Sequence, residues 1–243
     1  MRVYSSSFFH FVKDFNTLKG IIKNGFNVYY CKEEIYSTEN SIQHIGIPMV
    51  SFCDVPLNFM TQNNYGSFGI GMSRSWGIEH LLQPVMYYPN NKECLSTKLI
   101  IKATDNFLKH PEKPDDYSIL GYSKPIKKIE VHSDRNTDNY IEREWRKVYK
   151  SYGTQRWKTE AEYKEYRGDS STPKKQVGAS LKFDVNDIDC IILKKKHINS
   201  FIDFVMDSNL TYFGDKQKVI INQRDRELML SKIIQYENLV VNL

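Results

Sequence analysis

Residues 65–76 read YGSFGIGMSRSW, and three glycines, Gly66, Gly69 and Gly71, interrupt an otherwise strand-like run. Glycine costs a strand backbone entropy and offers nothing to pack, so three this close together imply that another backbone or a ligand approaches the segment. The stretches on either side are short apolar runs punctuated by turn signals. SSSFFHFV (5–12) reads as a strand with His10 set among aromatic residues. Leu18, Ile21 and Ile22 follow at helical spacing, with Asp14 or Asn16 as N-cap and Gly25 just past the end. Lys32 to Gln43 reads as a polar region. IPMVSFCDVPL (47–57) predicts a buried strand bracketed by Pro48 and Pro56, and Asp54 within it reads as a turn or cap residue.

Further along, SWGIEHLLQ predicts a short helix, and PVMYYP and TKLIIKA predict strands. Residues 109–139 read as a long loop holding one apolar run, YSILGY. YIEREWRKVY, ASLKFDV, DIDCIILKK and KVIINQ predict strands, the last closing the set. HINSFIDFVMDS predicts a helix with Ile198, Phe201, Ile202 and Val205 on one face. Many strands joined by few helices argue for an α+β fold rather than a doubly wound parallel sheet. The expectation is one domain over 1–243, with a polar, basic and aromatic insertion near 150–178.

Composition supports a packed core, with 40% hydrophobic and 13% aromatic residues in a chain of 243. No apolar run is long enough to cross a bilayer, and the N-terminus is too polar for a secretory signal. The four cysteines (Cys31, Cys53, Cys94, Cys190) form no CxxC pair, so neither zinc nor a disulfide framework is expected, and a reducing cytoplasm is. No GxxxxGK[ST] sequence offers a P-loop. The net charge of +5 is local: residues 124–175 hold 14 Lys or Arg against 9 Asp or Glu, and the remainder holds 20 of each. That window also carries Tyr140, Trp145, Tyr149, Tyr152, Trp157, Tyr163 and Tyr166. Cations attract phosphate and aromatic faces stack bases, so Arg146, Lys147, Lys150, Arg156, Trp157 and Lys158 are the candidate nucleic-acid contacts. A solvated basic surface with its rings packed inward is the competing reading.

Two resemblances attach to these motifs. A strand bearing His10 followed by the helix xLxxI[IL]xxG is similar to the opening of ADP-ribosyltransferase folds, including the DarT-type DNA-modifying toxins. The ordered set IPMVSFCDVPL, YGSFGIGMSRSW, QPVMYY and EREWR resembles the AbiGi family of abortive phage-infection proteins over roughly residues 8–148. The first resemblance implies an ADP-ribosyltransferase-like split β-sheet and transfer of ADP-ribose from NAD, in a growth-arresting effector of phage defence; the local excess of cations and aromatics makes nucleic acid the expected acceptor, single-stranded RNA or DNA because no unstacking is needed. The second implies the antitoxin half of a two-gene abortive system, a non-enzymatic antitoxin or sensor that binds a partner toxin. An NAD glycohydrolase is the third reading, with water as acceptor.

The transferase resemblance also implies roles. His10 would bind the adenosine-side ribose, Tyr65 would stack on nicotinamide, and Ser51, Phe52 and Gly66 would line the same cleft. Arg74 would hold the pyrophosphate, since a guanidinium suits paired anionic oxygens. The oxocarbenium-like ribose needs a carboxylate beside it, and Glu144 and Glu142 of EREWR are the candidates, expected to share one face of a strand. Glu144, at the EW pair, is favoured as the catalyst, with Glu142 polarising the acceptor. Cross-strand ion pairing with Arg143 and Arg146 is the bland alternative. Val12 departs from the DarT-like pattern, which has Thr two residues after the His. No metal is expected.

Overall fold

In a computed structural model of the chain, the structure describes residues 5–36, 42–60, 66–126, 139–149, 156–169, 174–178, 180–214 and 217–240. The strands in chain order are β1 (Ser7–Val12), β2 (Tyr29–Tyr36), β3 (Ile42–Cys53), β4 (Phe68–Ser73), β5 (Gln83–Pro84) and β6 (Met86–Tyr88). They continue with β7 (Ser123–Pro125), β8 (Glu144–Val148), β9 (Ile188–Leu193), β10 (Thr211–Gly214), β11 (Gln217–Ile220) and β12 (Ile233–Gln235). The helices are α1 (Phe15–Asn24), α2 (Leu57–Met60), α3 (Arg74–Glu79), α4 (Leu95–Lys109), α5 (Glu160–Arg167), α6 (Ile198–Met206), α7 (Gln223–Ser231) and α8 (Tyr236–Val240). The mixture is α+β, as expected. The chain gathers into two compact units, each built from separated stretches of chain.

The first unit comprises Met1–Asn27, Phe52–Leu82 and Ser180–Leu243. Its sheet places β1 antiparallel to β4 through the whole strand, from Ser7 opposite Ser73 to Val12 opposite Phe68. β4 runs antiparallel to β9, and β9 runs parallel to β12. The glycines of β4 exist because β1 lies so close. A side chain at Gly69 would strike the Phe11 ring, and one at Gly71 would strike the Phe9 ring and the Cys190 sulfur. Gly66, at φ +133°, faces the Val12 carbonyl in the same way. Neighbouring protein atoms therefore occupy the space beside all three.

α1 forms as predicted. The Asp14 carboxylate accepts from the Thr17 N–H at 2.8 Å, Leu18, Ile21 and Ile22 are buried, and Gly25 ends the helix at φ +78° with its N–H on the Ile21 carbonyl. Phe26, Phe52, Trp76 and Phe183 pack ring against ring beneath it. Burying each such side chain contributes about 1.5–3 kcal/mol.

The second unit comprises Val28–Ser51 and Gln83–Ala179. β2 pairs antiparallel with β3 over eight residues, from Tyr29 opposite Met49 to Tyr36 opposite Ile42. β8 follows β3 in the strand order, and β5 pairs with β8. Ile35, Ile45, Ile47, Met49, Tyr88, Ile100, Phe107, Tyr117, Leu120 and Trp157 form its core.

Several expectations are overturned here. TKLIIKA is not a strand. It lies inside α4, a 15-residue helix that buries Thr97, Ile100, Ala103, Thr104 and Phe107 at helical spacing. Lys32–Gln43 is not only a polar region, since β2 runs through it to Tyr36. Pro48 does not bracket β3 but sits within it opposite Tyr30, with its carbonyl accepting the Tyr149 N–H. ASLKFDV supplies only a bridge between Leu181 and Phe26 and then a 3-10 turn. Within the polar, basic and aromatic stretch near 150–178 lies α5, started by a capping box between Thr159 and Glu162. KVIINQ supplies β11, but β12 comes later. Among the described residues no helix is long and apolar enough to cross a membrane.

Candidate functional site

β8 is the element on which the candidate carboxylates converge. Glu144 and Arg146 lie two residues apart, so their side chains project from one face of the strand. Arg146 Nε donates to Glu144 Oε1 at 2.8 Å and Nη2 donates to Oε2 at 2.9 Å. The same Nη2 reaches Glu33 Oε2 on β2 at 2.9 Å, and Nη1 donates to the Gly121 carbonyl at 3.1 Å. Lys124 of β7 completes the group, donating to Glu144 Oε2 at 3.1 Å and Glu142 Oε2 at 2.8 Å. The Glu144 N–H donates to the Tyr87 hydroxyl at 2.8 Å.

Arg146 is fully buried and the Glu144 side chain is 8% exposed. Burial on its own would raise the Glu144 carboxyl, but the Arg146 and Lys124 charges, with hydrogen bonds from Arg146 and Ser51, hold it well below the usual carboxylate range. Burial acts to lower Lys124, yet the surrounding carboxylates Glu144, Glu33 and Glu142 raise it above its ordinary value. Burial pushes the Tyr87 phenol up. The result is a charged network in which three carboxylates share two cations. A cleft of about 260 Å³ opens over it, lined by Lys32, Glu33, Glu34, Lys124, Pro125, Asn139 and Glu142.

Glu142 arrives there by a route the sequence did not predict. It is not on β8: it ends a 3-10 turn over Asn139–Glu142, and Arg143 between the two acids takes φ +42°. The shared-face expectation fails on the backbone, yet Lys124 brings the two carboxylates together.

In the first unit, His10 is half-buried on β1 with its ring 5.2 Å from Phe26 and 5.6 Å from Phe52. Phe52 is 1% exposed. Arg74, at the start of α3, donates through Nε and Nη2 to the Ser5 carbonyl, pairs with Asp54, and stacks over Phe8. Asp54 also accepts the Ser5 N–H at 3.0 Å. Arg74 thus ties the start of β1 to the segment after β3.

The sequence model of a protein family described as "Putative abortive phage resistance protein AbiGi, antitoxin" matches residues 24–194. The chain belongs to the AbiGi family. An "Abortive phage resistance protein AbiGi" of Lactococcus lactis subsp. cremoris is 35% identical over 91 residues, which span 33% of this chain and 35% of that protein. The match thus covers about a third of the length of the curated relative. No solved structure matches the chain, and none supports the ADP-ribosyltransferase-like split sheet expected from its opening. The AbiGi match contains Glu33, Lys124, Glu142, Glu144 and Arg146, and it begins after His10.

Of the other residues singled out, Ser51 is half-buried and hydrogen-bonded to Glu144, in the same unit as the network. Tyr65 and Lys150 lie outside the described residues. The nucleic-acid assignment fails at two positions. Arg146 has no exposed surface and four of its contacts are internal, and Trp157 is 3% exposed with its indole N–H on the Tyr149 carbonyl at 3.1 Å. Neither can reach a phosphate or a base. Lys147 is half-buried, Arg156 pairs with Glu162, and Lys158 lies 4.9 Å from the centre of the Tyr30 ring.

Sequence reasoning missed Lys124, Glu33 and Tyr87. Their separation from Glu144 along the chain leaves no local spacing to find them by. Among the described residues no group of His, Cys, Asp and Glu is arranged to hold a metal ion.

Proposed function

We propose that this chain is the antitoxin of a two-component abortive phage-resistance system, a protein that restrains a partner toxin by binding it. Membership of the AbiGi family supports the defence role, and the description of that family supports the antitoxin side. The observation that carries the non-enzymatic part is the state of Glu144. An oxocarbenium-like ribose is stabilised by a carboxylate whose charge is uncompensated. Both oxygens of Glu144 accept from cationic donors, Arg146 on each and Lys124 on one. Its field is spent inside the protein, and a buried pair of this kind orders the strands that carry it.

Transfer of ADP-ribose from NAD, with His10, Tyr65 and Arg74 as its binding residues, would need Arg146 and Lys124 to release that carboxylate. Arg74 would also have to leave Asp54 and the Ser5 carbonyl to hold a pyrophosphate.

Expression alone and expression with the neighbouring gene distinguish the two. An antitoxin leaves growth unchanged when expressed alone and restores growth when its toxic partner is present. Growth arrest by this chain alone, lost in a Glu144→Gln variant that stays folded, would instead establish the toxin reading.

A further inference from the structure

The β10–β11 ribbon stands out in the first unit because one of its strands is exposed throughout. All four residues of β11 are exposed, with Ile220 at 65%, and β10 is the strand that pairs with it. Register assigns the faces. Tyr212, opposite Val219, is buried with its hydroxyl on Asp225, so Phe213, Lys218 and Ile220 belong to the other, outward face.

Lysines gather at the same place. Lys182 places its ammonium 3.6 Å from the Phe213 ring centre and donates to the Asn24 carbonyl at the end of α1. Lys218 stands opposite Phe213 in the ribbon. Lys23 lies one residue before Asn24, and Lys23 and Lys19, one helical turn apart, both approach the Phe204 ring. Among the described residues none of these four lysines has a carboxylate within ion-pair reach; the exposed acids nearest in sequence to their aromatic contacts are Asp14, beside Phe15, and Asp203, beside Phe204. Burial, and then the charge of Lys218, hold the Lys182 ammonium below its ordinary value. Like charges this close repel one another, and an anion from outside relieves the repulsion.

We infer that β11 and this lysine cluster form a docking surface for an acidic, extended segment of a partner protein, which adds to the ribbon as a third strand. Resting on the antitoxin reading, this names the surface that engages the toxin. An open strand edge offers backbone donors and acceptors that a peptide can use, and Ile220 on the outward face and Val219 on the other offer apolar contact to its side chains. The lysines select acidic sequences and speed the encounter. A nucleic-acid strand gains less here. The Phe213, Phe15 and Phe204 rings already have ammonium groups over them, which compete with a base for the same rings.

The full chain is titrated by fluorescence anisotropy against a labelled peptide of alternating Glu and Val, its Lys and Val counterpart, and a single-stranded DNA oligonucleotide. The acidic peptide should bind, and N-methylation of its alternate amides should abolish binding without any change to the protein. Lys182→Glu with Lys218→Glu should weaken binding at least about tenfold. Equal binding of the N-methylated peptide, preference for the basic peptide, or tighter binding of the oligonucleotide would each overturn the inference. The two readings separate in the growth assay. A chain that neutralises the toxin equally well with both lysines reversed defeats the docking surface alone, whereas a wild-type chain that neutralises nothing defeats the antitoxin reading.

Discussion

Glu144 and Arg146 stand two residues apart on β8, and the guanidinium of one takes both carboxylate oxygens of the other, at 2.8 and 2.9 Å. This bidentate pair is buried, and Glu33 and Lys124 extend it at either side. It turns a carboxylate that looks catalytic in sequence into an internal counter-ion.

Breaking the pair from one side should be costly. Glu144→Gln leaves a fully buried guanidinium short of a charge partner and is expected to lower stability by about 3–5 kcal/mol. Arg146→Met should cost a similar amount. The Glu144→Gln, Arg146→Met double variant should lose less than the sum, with a coupling energy of at least about 1 kcal/mol in a double-mutant cycle by denaturant unfolding. Additive losses would show that the two groups act separately.

The same pair predicts a pH dependence. Glu144 has a depressed pKa in the folded state, so its contribution is fully present above the unfolded carboxylate value of about 4.3 and is lost as pH falls toward the lower folded value. Lys124 is raised when folded, so its contribution persists up to the unfolded value of about 10.4 and is lost above it. Thermal melts should therefore show a plateau between these limits. An acid limb equally steep in Glu144→Gln would remove Glu144 as its source.

At Gly25 the backbone is left-handed at φ +78°, and an added Cβ would meet the Leu181 carbonyl oxygen. Gly25→Ala should destabilise the chain by more than about 1 kcal/mol, the conformational cost alone. An unchanged midpoint in urea would show that the turn relaxes freely.

The capping box at α5 gives a smaller, local effect. Thr159→Ala removes the acceptor for the Glu162 N–H and is expected to cost about 1 kcal/mol. Hydrogen exchange should speed up over residues 160–167 and stay unchanged over α1. Uniform acceleration would mean that α5 is coupled to global unfolding.

For function, incubation with labelled NAD should give neither ADP-ribosylated nucleic acid nor free ADP-ribose, since the carboxylate that such chemistry needs is neutralised in place. Turnover that vanishes in Glu144→Gln while the variant stays folded would overturn that conclusion.

Elements governed by neighbours a few residues away were legible from the chain alone. The strand over 7–12, the Asp14 cap, the Leu18–Ile21–Ile22 stripe and the glycine stop of α1 each follow from spacing and side-chain type. So do β9 and α6. TKLIIKA misled because an apolar run of that length suits either a strand or part of a helix, and its period shows only across all of α4. Pro48 misled because whether a strand accepts proline depends on which hydrogen bonds its neighbours ask of it.

The charged network lay beyond that kind of reasoning. EREWR announced two carboxylates and two guanidinium groups close together, and the sequence by itself determined little more than that Glu144 and Arg146 could face the same way. Whether Glu144 stood free to stabilise a cation or was consumed by one depended on Lys124 and Glu33, 20 and 111 positions away. Only the tertiary structure decided that, because the local field at a side chain is the sum over every charge folded against it, and most of those charges come from distant parts of the chain.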